Sequence, residues 1–290
     1  MNRRRTGPWL AIATLVGSAL LAAACSAAPR DARTEPGSAS GGDARVGLPS
    51  SHVHGVARDP GDGALLLATH EGLFRYGTDG PKRVSPIIDL MGFTIAGADH
   101  YYASGHPNVV MELPQPMGLI ESTDGGSSWK VLSRGGESDF HALARAGDTV
   151  VAFDGQLRRS PDGRSWQTSS IPAEPRSLAS DPTGTRILAT TPAGLLISTD
   201  KGATWTPSDG GPLLLLVSWA DKQTAVGIGP GGAVAISRDA AKTWRTTGTT
   251  EQAPQAMSAR LTRAGLEILV VTENRVLTSK DGARFTEATT

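Results

Sequence analysis

An aspartate returns six times along this chain in nearly the same company, and that recurrence constrains the fold more than any other feature. The six segments are GLFRYGTDGPKRV from Gly72, GLIESTDGGSSW from Gly118, GQLRRSPDGRSW from Gly155, GLLISTDKGATW from Gly194, GAVAISRDAAKTW from Gly232 and NRVLTSKDGARF from Asn274. Their aspartates, Asp79, Asp124, Asp162, Asp200, Asp239 and Asp281, are spaced 45, 38, 38, 39 and 42 residues apart. A period near 40, filled with short apolar runs and turns, matches one four-stranded propeller blade per repeat. The 290 residues include 35 glycines and 19 prolines. Those shares exceed the usual ones of about 7% and 5%, which suits short strands joined by turns. The expected fold is all-β: a six-bladed β-propeller with four-stranded blades over residues 44–290.

Working outward from each aspartate turn supplies the other strands. Inner strands are expected at 52–57, 88–95, 140–144, 177–179, 213–219 and 256–261. Second strands follow at 64–69, 101–104, 149–153, 186–190, 224–228 and 267–271. Asp59-Pro60-Gly61-Asp62-Gly63 and Asp181-Pro182-Thr183-Gly184-Thr185 are turn signals between first and second strands.

The repeated core resembles the Asp box, Ser-x-Asp-x-Gly-x-x-Trp, of sialidase-like propellers. Ser122/Asp124/Gly126/Trp129 and Ser198/Asp200/Gly202/Trp205 match in full. Ser160/Asp162/Trp166 is one residue short, Ser237/Asp239/Trp244 has Ala241 in place of Gly, and Ser279/Asp281/Phe285 is short and ends in Phe. The first repeat keeps only Asp79 and its turn. The box implies a hairpin between third and fourth strands. Its Asp accepts hydrogen bonds from turn amides, its Gly permits positive φ, and its Trp packs between adjacent sheets. These aspartates are expected to be turn staples rather than sugar or calcium ligands, because function is grafted on folds rather than built from their staples.

The N-terminus has the form of an export signal. Arg3, Arg4 and Arg5 precede an apolar stretch from Trp9 to Ala23, too short for a comfortable span of about 20 residues. Leu20-Leu21-Ala22-Ala23-Ala24-Cys25 resembles a bacterial lipobox, in which Cys25 is lipidated and becomes the first mature residue; Ala22 stands where Leu is commonest, and simple secretion is the alternative. Residues 1–24 are thus expected to be a signal peptide, and residues 25–43 a lipidated Cys followed by an Ala/Pro/Gly/Ser-rich tether. The resulting expectation is a monomer anchored on the extracytoplasmic face of the cell membrane. With 28 basic and 28 acidic side chains, the chain lacks the basic face of a nucleic-acid binder. A lone cysteine excludes a disulfide framework.

All six histidines, His52, His54, His70, His100, His106 and His141, fall within residues 52–141. In a propeller the start of an inner strand and the end of the next strand approach the same mouth of the axial channel. That topology aims His54, His70, His106 and His141 at one opening, with Met91 at the start of the blade-2 inner strand. His52 and His100 are expected to be surface or strand-end residues. Histidines with a methionine suit copper, and carboxylates would suit zinc. Glu71, Glu137 and Asp139 lie nearby and are the candidate carboxylates for a glycosidase.

A second resemblance rests on His52-Val53-His54-Gly55, Thr69-His70-Glu71-Gly72, Met91-Gly92-Phe93, Ser104-Gly105-His106-Pro107, Pro116-Met117-Gly118-Leu119 and Asp139-Phe140-His141-Ala142. These stretches look like a family of bacterial exported BNR/Asp-box propellers often labelled glycosyl hydrolase or exo-alpha-sialidase. The sialidase chemistry that label implies needs an arginine triad and a Tyr–Glu nucleophile pair. The nearest arginine segment, Arg45-Val46-Gly47-Leu48-Pro49, breaks the required spacing. The tyrosines are only Tyr76, Tyr101 and Tyr102; Tyr76 is expected on the rim, and strand alternation would send only one of the other two inward. The expected function is therefore binding of a metal, glycan or protein partner at the His-rich mouth without turnover. The alternatives are a glycoside hydrolase of sialidase-like fold and a protein-assembly scaffold.

Overall fold

The computed structural model describes residues 48–208 and 210–288. The signal segment, Cys25 and the tether lie outside the described residues. Blade 1 comprises β1 (Val53–Arg58), β2 (Leu65–Thr69), β3 (Gly72–Gly77) and β4 (Gly80–Arg83). Blade 2 comprises β5 (Ile88–Gly97), β6 (His100–Pro107), β7 (Leu119–Ser122) and β8 (Lys130–Ser133). Blade 3 comprises β9 (Ala142–Ala146), β10 (Thr149–Phe153), β11 (Leu157–Ser160) and β12 (Gln167–Ser169). Blade 4 comprises β13 (Ser177–Ser180), β14 (Ile187–Thr191), β15 (Gly194–Ser198) and β16 (Thr206–Pro207). Blade 5 comprises β17 (Leu216–Trp219), β18 (Ala225–Ile228), β19 (Ala233–Ser237) and β20 (Arg245–Thr249). Blade 6 comprises β21 (Ala256–Thr262), β22 (Gly265–Val271), β23 (Val276–Ser279) and β24 (Thr286–Glu287). Each sheet is built from four consecutive, antiparallel strands. This is a six-bladed β-propeller, and the described residues contain no helix.

The second strands show why the blades stack. Leu65, Leu66, Leu67 and Ala68 on β2 have no exposure at all. Leu65 and Leu67 face blade 6, whereas Leu66 and Ala68 face blade 2. Period-2 alternation thus splits one apolar run between two neighbours. Each buried leucine contributes about 1.5–3 kcal/mol of transfer free energy. Six such apolar clusters separate the six blades.

The ring closes between blades 6 and 1 without exchange of a strand. Val53, Val56, Leu65 and Leu67 pack against Ala256, Leu269 and Val271 there, with Leu48 laid against the same cluster. Gln255 adds a polar clasp: its Oε1 accepts from Val53 N at 2.8 Å, and its Nε2 donates to Ser51 O at 3.1 Å.

The aspartate turns lie between third and fourth strands. In the full-length turns Ser122 and Ser198 accept from Gly126 N and Gly202 N, each at 2.8 Å. Asp124 and Asp200 accept from the amides of Ser128 and Thr204, each at 2.9 Å. Asp239 does the same with Thr243 N at 2.9 Å. Ala241, where the repeat expects Gly, still takes φ 66°, so the turn's hydrogen bonds dictate the backbone. The two shorter turns pull the amide partners in by a residue: Asp162 takes Arg164 N and Ser165 N, and Asp281 takes Ala283 N and Arg284 N. Among the described residues Asp79 staples no amide and instead accepts from Lys82 Nζ at 3.2 Å. Trp129, Trp166, Trp205, Trp244 and Phe285 each join an interblade cluster. Tyr76 differs from its expected rim position: it is 4% exposed and packs between blades 1 and 6, because alternation along β3 turns it onto that apolar seam.

Candidate functional site

Two β-bulges shape the mouth of blades 1 and 2. In β1 the pairing steps from Val53–Thr69 to Gly55–Ala68, which leaves His54 as the extra residue. In β5 it steps from Leu90–Gly105 to Gly92–Ser104, which leaves Met91 as the extra residue. A bulge bends its strand and re-aims the side chain it carries. Both sequences run apolar-X-Gly-apolar: Val53-His54-Gly55-Val56 and Leu90-Met91-Gly92-Phe93. The glycines make room for the next blade. A Cβ on Gly55 would lie 3.1 Å from Phe93 Cβ of blade 2, and one on Gly92 would lie 2.2 Å from Phe140 O at the entry to blade 3.

The strand β5 begins three residues before Met91, and its second residue is Asp89. Asp89 Oδ1 lies 3.8 Å from His54 Nε2 and 3.7 Å from His70 Nε2. One ligand atom from each of the three residues lies within 4.8 Å of the others. His70 sits in the β2–β3 turn, where Thr69 Oγ1 donates to Gly72 O at 2.9 Å and accepts from Glu71 N at 3.0 Å. The rings of His54 and His70 stack at 4.7 Å, and His52 tilts against His70 at 4.8 Å.

A second group adjoins the first. Asp89 pairs across the ladder with His106, which lies within β6 rather than after it. His106 Nε2 is 3.1 Å from Asp139 Oδ2, and His141 Nε2 is 3.4 Å from the same oxygen. Imidazoles and carboxylates therefore alternate across blades 1–3: His54 and His70, Asp89, His106, Asp139, His141. Among the described residues only His54, His70 and Asp89 converge tightly enough to share one small ion.

The remaining predicted residues lie elsewhere. Met91 lines the cavity beside His54 but does not belong to the triad. Glu71 is exposed beside His70. Glu137 is exposed and paired with Arg134 at 3.2 Å. His100 pairs with Glu121 at 2.9 Å, at the far end of β6 from His106. Asp89 was not singled out from sequence. Its signal was present in the alternation of the Ile88–Ile95 run, but the bulge at Met91 breaks that alternation.

The electrostatics of the triad are in conflict. Burial, reinforced by the cationic character of His70, His52, His141 and Arg176, pushes His54 down to about 4. Burial also raises Asp89; attraction by His70 and His106 opposes this, while Asp139 and Glu71 add to it. Both groups are thus driven toward their neutral forms. His54 Nε2, Asp89 Oδ1, His106 Nδ1 and Asp139 Oδ1 are all buried with no hydrogen-bond partner. Orphaned buried polar atoms are costly. A cation between the triad atoms would satisfy two of them and favour the Asp89 anion.

No family model matches the chain, and no curated protein matches it in sequence. Solved structures do match in fold. A domain assigned as the extracellular part of a hybrid two component system from B. thetaiotaomicron superimposes with TM-score 0.58 at 13% identity, covering 85% of this chain and 34% of that one. The present chain thus spans about a third of that protein's length. An ancestral GH74 enzyme gives TM-score 0.56 at 13% identity over 81% of this chain and 40% of its own. YCF48 from Cyanidioschyzon merolae gives 0.54 at 14% identity over 81% and 97%. At these identities the likeness is one of fold.

Proposed function

We propose that this chain is an exported, lipid-anchored propeller that binds a divalent transition-metal ion, zinc by its donor set, between blades 1 and 2, without turnover. The observation that carries the reading is the convergence of His54, His70 and Asp89 within 4.8 Å, with His54 Nε2 and Asp89 Oδ1 buried and unpartnered. Ligand atoms around tetrahedral zinc lie about 3.4 Å apart, so a small contraction completes the site. Two imidazoles and a carboxylate leave one position open, as in zinc sites that take an external ligand. Met91 stands outside the triad, which removes the soft donor that would favour copper. His54 is neutral through the neutral range and needs no deprotonation before it coordinates. A glycoside hydrolase is less well supported. Of its three candidate carboxylates, Glu137 is engaged by Arg134 and Asp139 is shared by two imidazoles.

The test uses the full chain, purified without a His tag, stripped with chelator and titrated calorimetrically with Zn²⁺ and Cu²⁺. One zinc per chain is expected. Asp89→Asn and His70→Ala should each weaken it by roughly 10–100-fold or more, and His100→Ala should leave it unchanged. Equal zinc binding by wild type and a His54/His70 double alanine variant would show that the triad is not the site.

The anchor part of the proposal rests on Cys25 and the sequence around it. Cys25→Ser should move the protein from the membrane fraction to the soluble fraction while its melting temperature stays at the wild-type value. Retention of the variant in the membrane fraction would remove the lipid anchor from the reading.

A further inference from the structure

A cavity of about 530 Å³ opens beside the triad, lined among others by His54, Met91, His141, Phe153, Arg176 and Leu216. It adjoins a channel of about 440 Å³ that runs along the inner strands and shares His54 and Arg176 with it. We propose that this cavity takes a small organic carboxylate with an apolar body, its carboxylate held between His54 Nδ1 and the Arg176 guanidinium. The proposal rests on metal occupancy of the neighbouring triad.

His54 is the hinge of the argument. Its Nε2 faces Asp89 and has no solvent contact, so Nδ1 is the ring nitrogen available to the cavity. A histidine that ligates metal through one nitrogen carries its proton on the other, and that N–H commonly donates to a carboxylate or carbonyl. Among the described residues the His54 ring makes no hydrogen bond. Metal at Nε2 therefore fixes an unused donor on the cavity wall.

Arg176 supplies the second contact. It precedes β13 and is held there by its backbone amide, which donates to Thr190 O at 2.8 Å. Its side chain is exposed and forms no ion pair among the described residues. A guanidinium offers a fork that matches a carboxylate. Of the acidic residues on the same cavity, Asp154 is already engaged by Arg158 at 2.8 Å and by Ser138 at 2.5 Å, and Glu174 is exposed to solvent. Met91, Phe153 and Leu216 provide the apolar wall. A few convergent polar groups on an apolar lining define a small-molecule pocket.

The coupling is reciprocal: metal that fixes the Nδ1 proton raises affinity for the anion, and the anion raises affinity for metal by the same factor. Calorimetric titration of hexanoate, with hexanol as the neutral control, into zinc-loaded and zinc-free full-length protein tests this. Hexanoate is expected to bind the zinc-loaded form at least ~5-fold more tightly than the zinc-free form, a coupling of ordinary size. Hexanol should bind neither form well. Arg176→Gln should weaken hexanoate by ~10-fold or more, the scale of a lost charged hydrogen bond, while the variant binds zinc at least as tightly as wild type, because the change removes a cation and no metal ligand. Hexanoate binding that is the same in wild type and Arg176→Gln, or matched by hexanol, would overturn the anion pocket even where zinc binds. Failure of zinc to bind wild type would instead overturn the metal reading and the coupling, whatever hexanoate does.

Discussion

Gly92 shows how little freedom single positions have around this mouth. Its missing Cβ leaves space for Phe140 O of the neighbouring blade, which a methyl would approach to 2.2 Å. The clash is with backbone, so no rotamer relieves it. Phe140 in turn is tied to blade 2 by its amide, which donates to Ser104 Oγ at 2.9 Å. Gly92→Ala should therefore destabilise the protein by at least about 1–3 kcal/mol, the usual cost of overpacking, and should weaken zinc binding by shifting the strand that carries Asp89. Gly77→Ala, where a Cβ would meet nothing within 4 Å, is the control for thermal melting. A Gly92→Ala variant that melts with the control would show that the two blades separate there at little cost. The same residues mark the boundary of what was legible in sequence. The gathering of His54, His70, His106 and His141 toward one mouth was readable from topology, because strand order alone decides which strand ends meet. The partition of those four into a pair flanking Asp89 and a pair flanking Asp139 was not. It depends on two bulges that change which way His54 and Met91 point, and a bulge has no period to betray it.

At the scale of the element, the aspartate turns carry the most legible signal and the simplest physics. One carboxylate satisfies the amides of a tight hairpin, and its neighbouring serine satisfies another. Hydrogen bonds to the anion explain why Asp239 is lowered to about 2, with Thr243 Oγ1 and N the largest contributors. Asp200 is also lowered to about 2: burial opposes the shift, and hydrogen bonds from Thr204 and Ser198 overcome it. A carboxylate whose folded pKa lies below its unfolded value near 3.8 stabilises the fold fully above that unfolded value. The contribution is lost as pH falls from about 4 through about 2. Wild type should accordingly lose stability steeply across that window in an acid titration followed by circular dichroism. Asp239→Asn should flatten the slope while lowering stability at neutral pH; an unchanged slope would show that the turn carboxylate does not support the fold. The spacing of the turns also exposes their one irregularity. The interval of 45 residues between Asp79 and Asp124 holds the long β5 and β6 strands and the segment 108–118, which places Val109 and Val110 almost fully in solvent at 97% and 83% exposure. Sequence period gave the blade count, but a local insertion leaves no mark on period that says which loop carries it.

At the scale of the whole molecule, the ring has one junction unlike the others. Between blades 6 and 1 no covalent turn joins one sheet to the next, so the seam depends on the cluster around Val53, Leu65 and Leu269 and on the amide of Gln255. Gln255→Ala removes the acceptor for Val53 N and the donor to Ser51 O. It should cost about 1–3 kcal/mol, the scale of leaving a buried amide unsatisfied. Hydrogen exchange should accelerate first at Val53 and the adjoining β1 amides, because local opening begins where contacts are fewest. Exchange that instead rises uniformly across all six sheets would indicate that the seam is as cooperative as the other junctions.

The same architecture has a genetic consequence. Because every sheet is completed by four successive strands, each blade is written in one uninterrupted stretch of coding sequence. Copying, deleting or transplanting such a stretch severs no ladder within a sheet; only the apolar faces of the new neighbours must match. All six histidines fall in the first three of these stretches. They therefore form a contiguous cassette, able to pass by recombination into another ring of the same design, while the last three blades close the circle and lend the cavity Arg176 and Leu216.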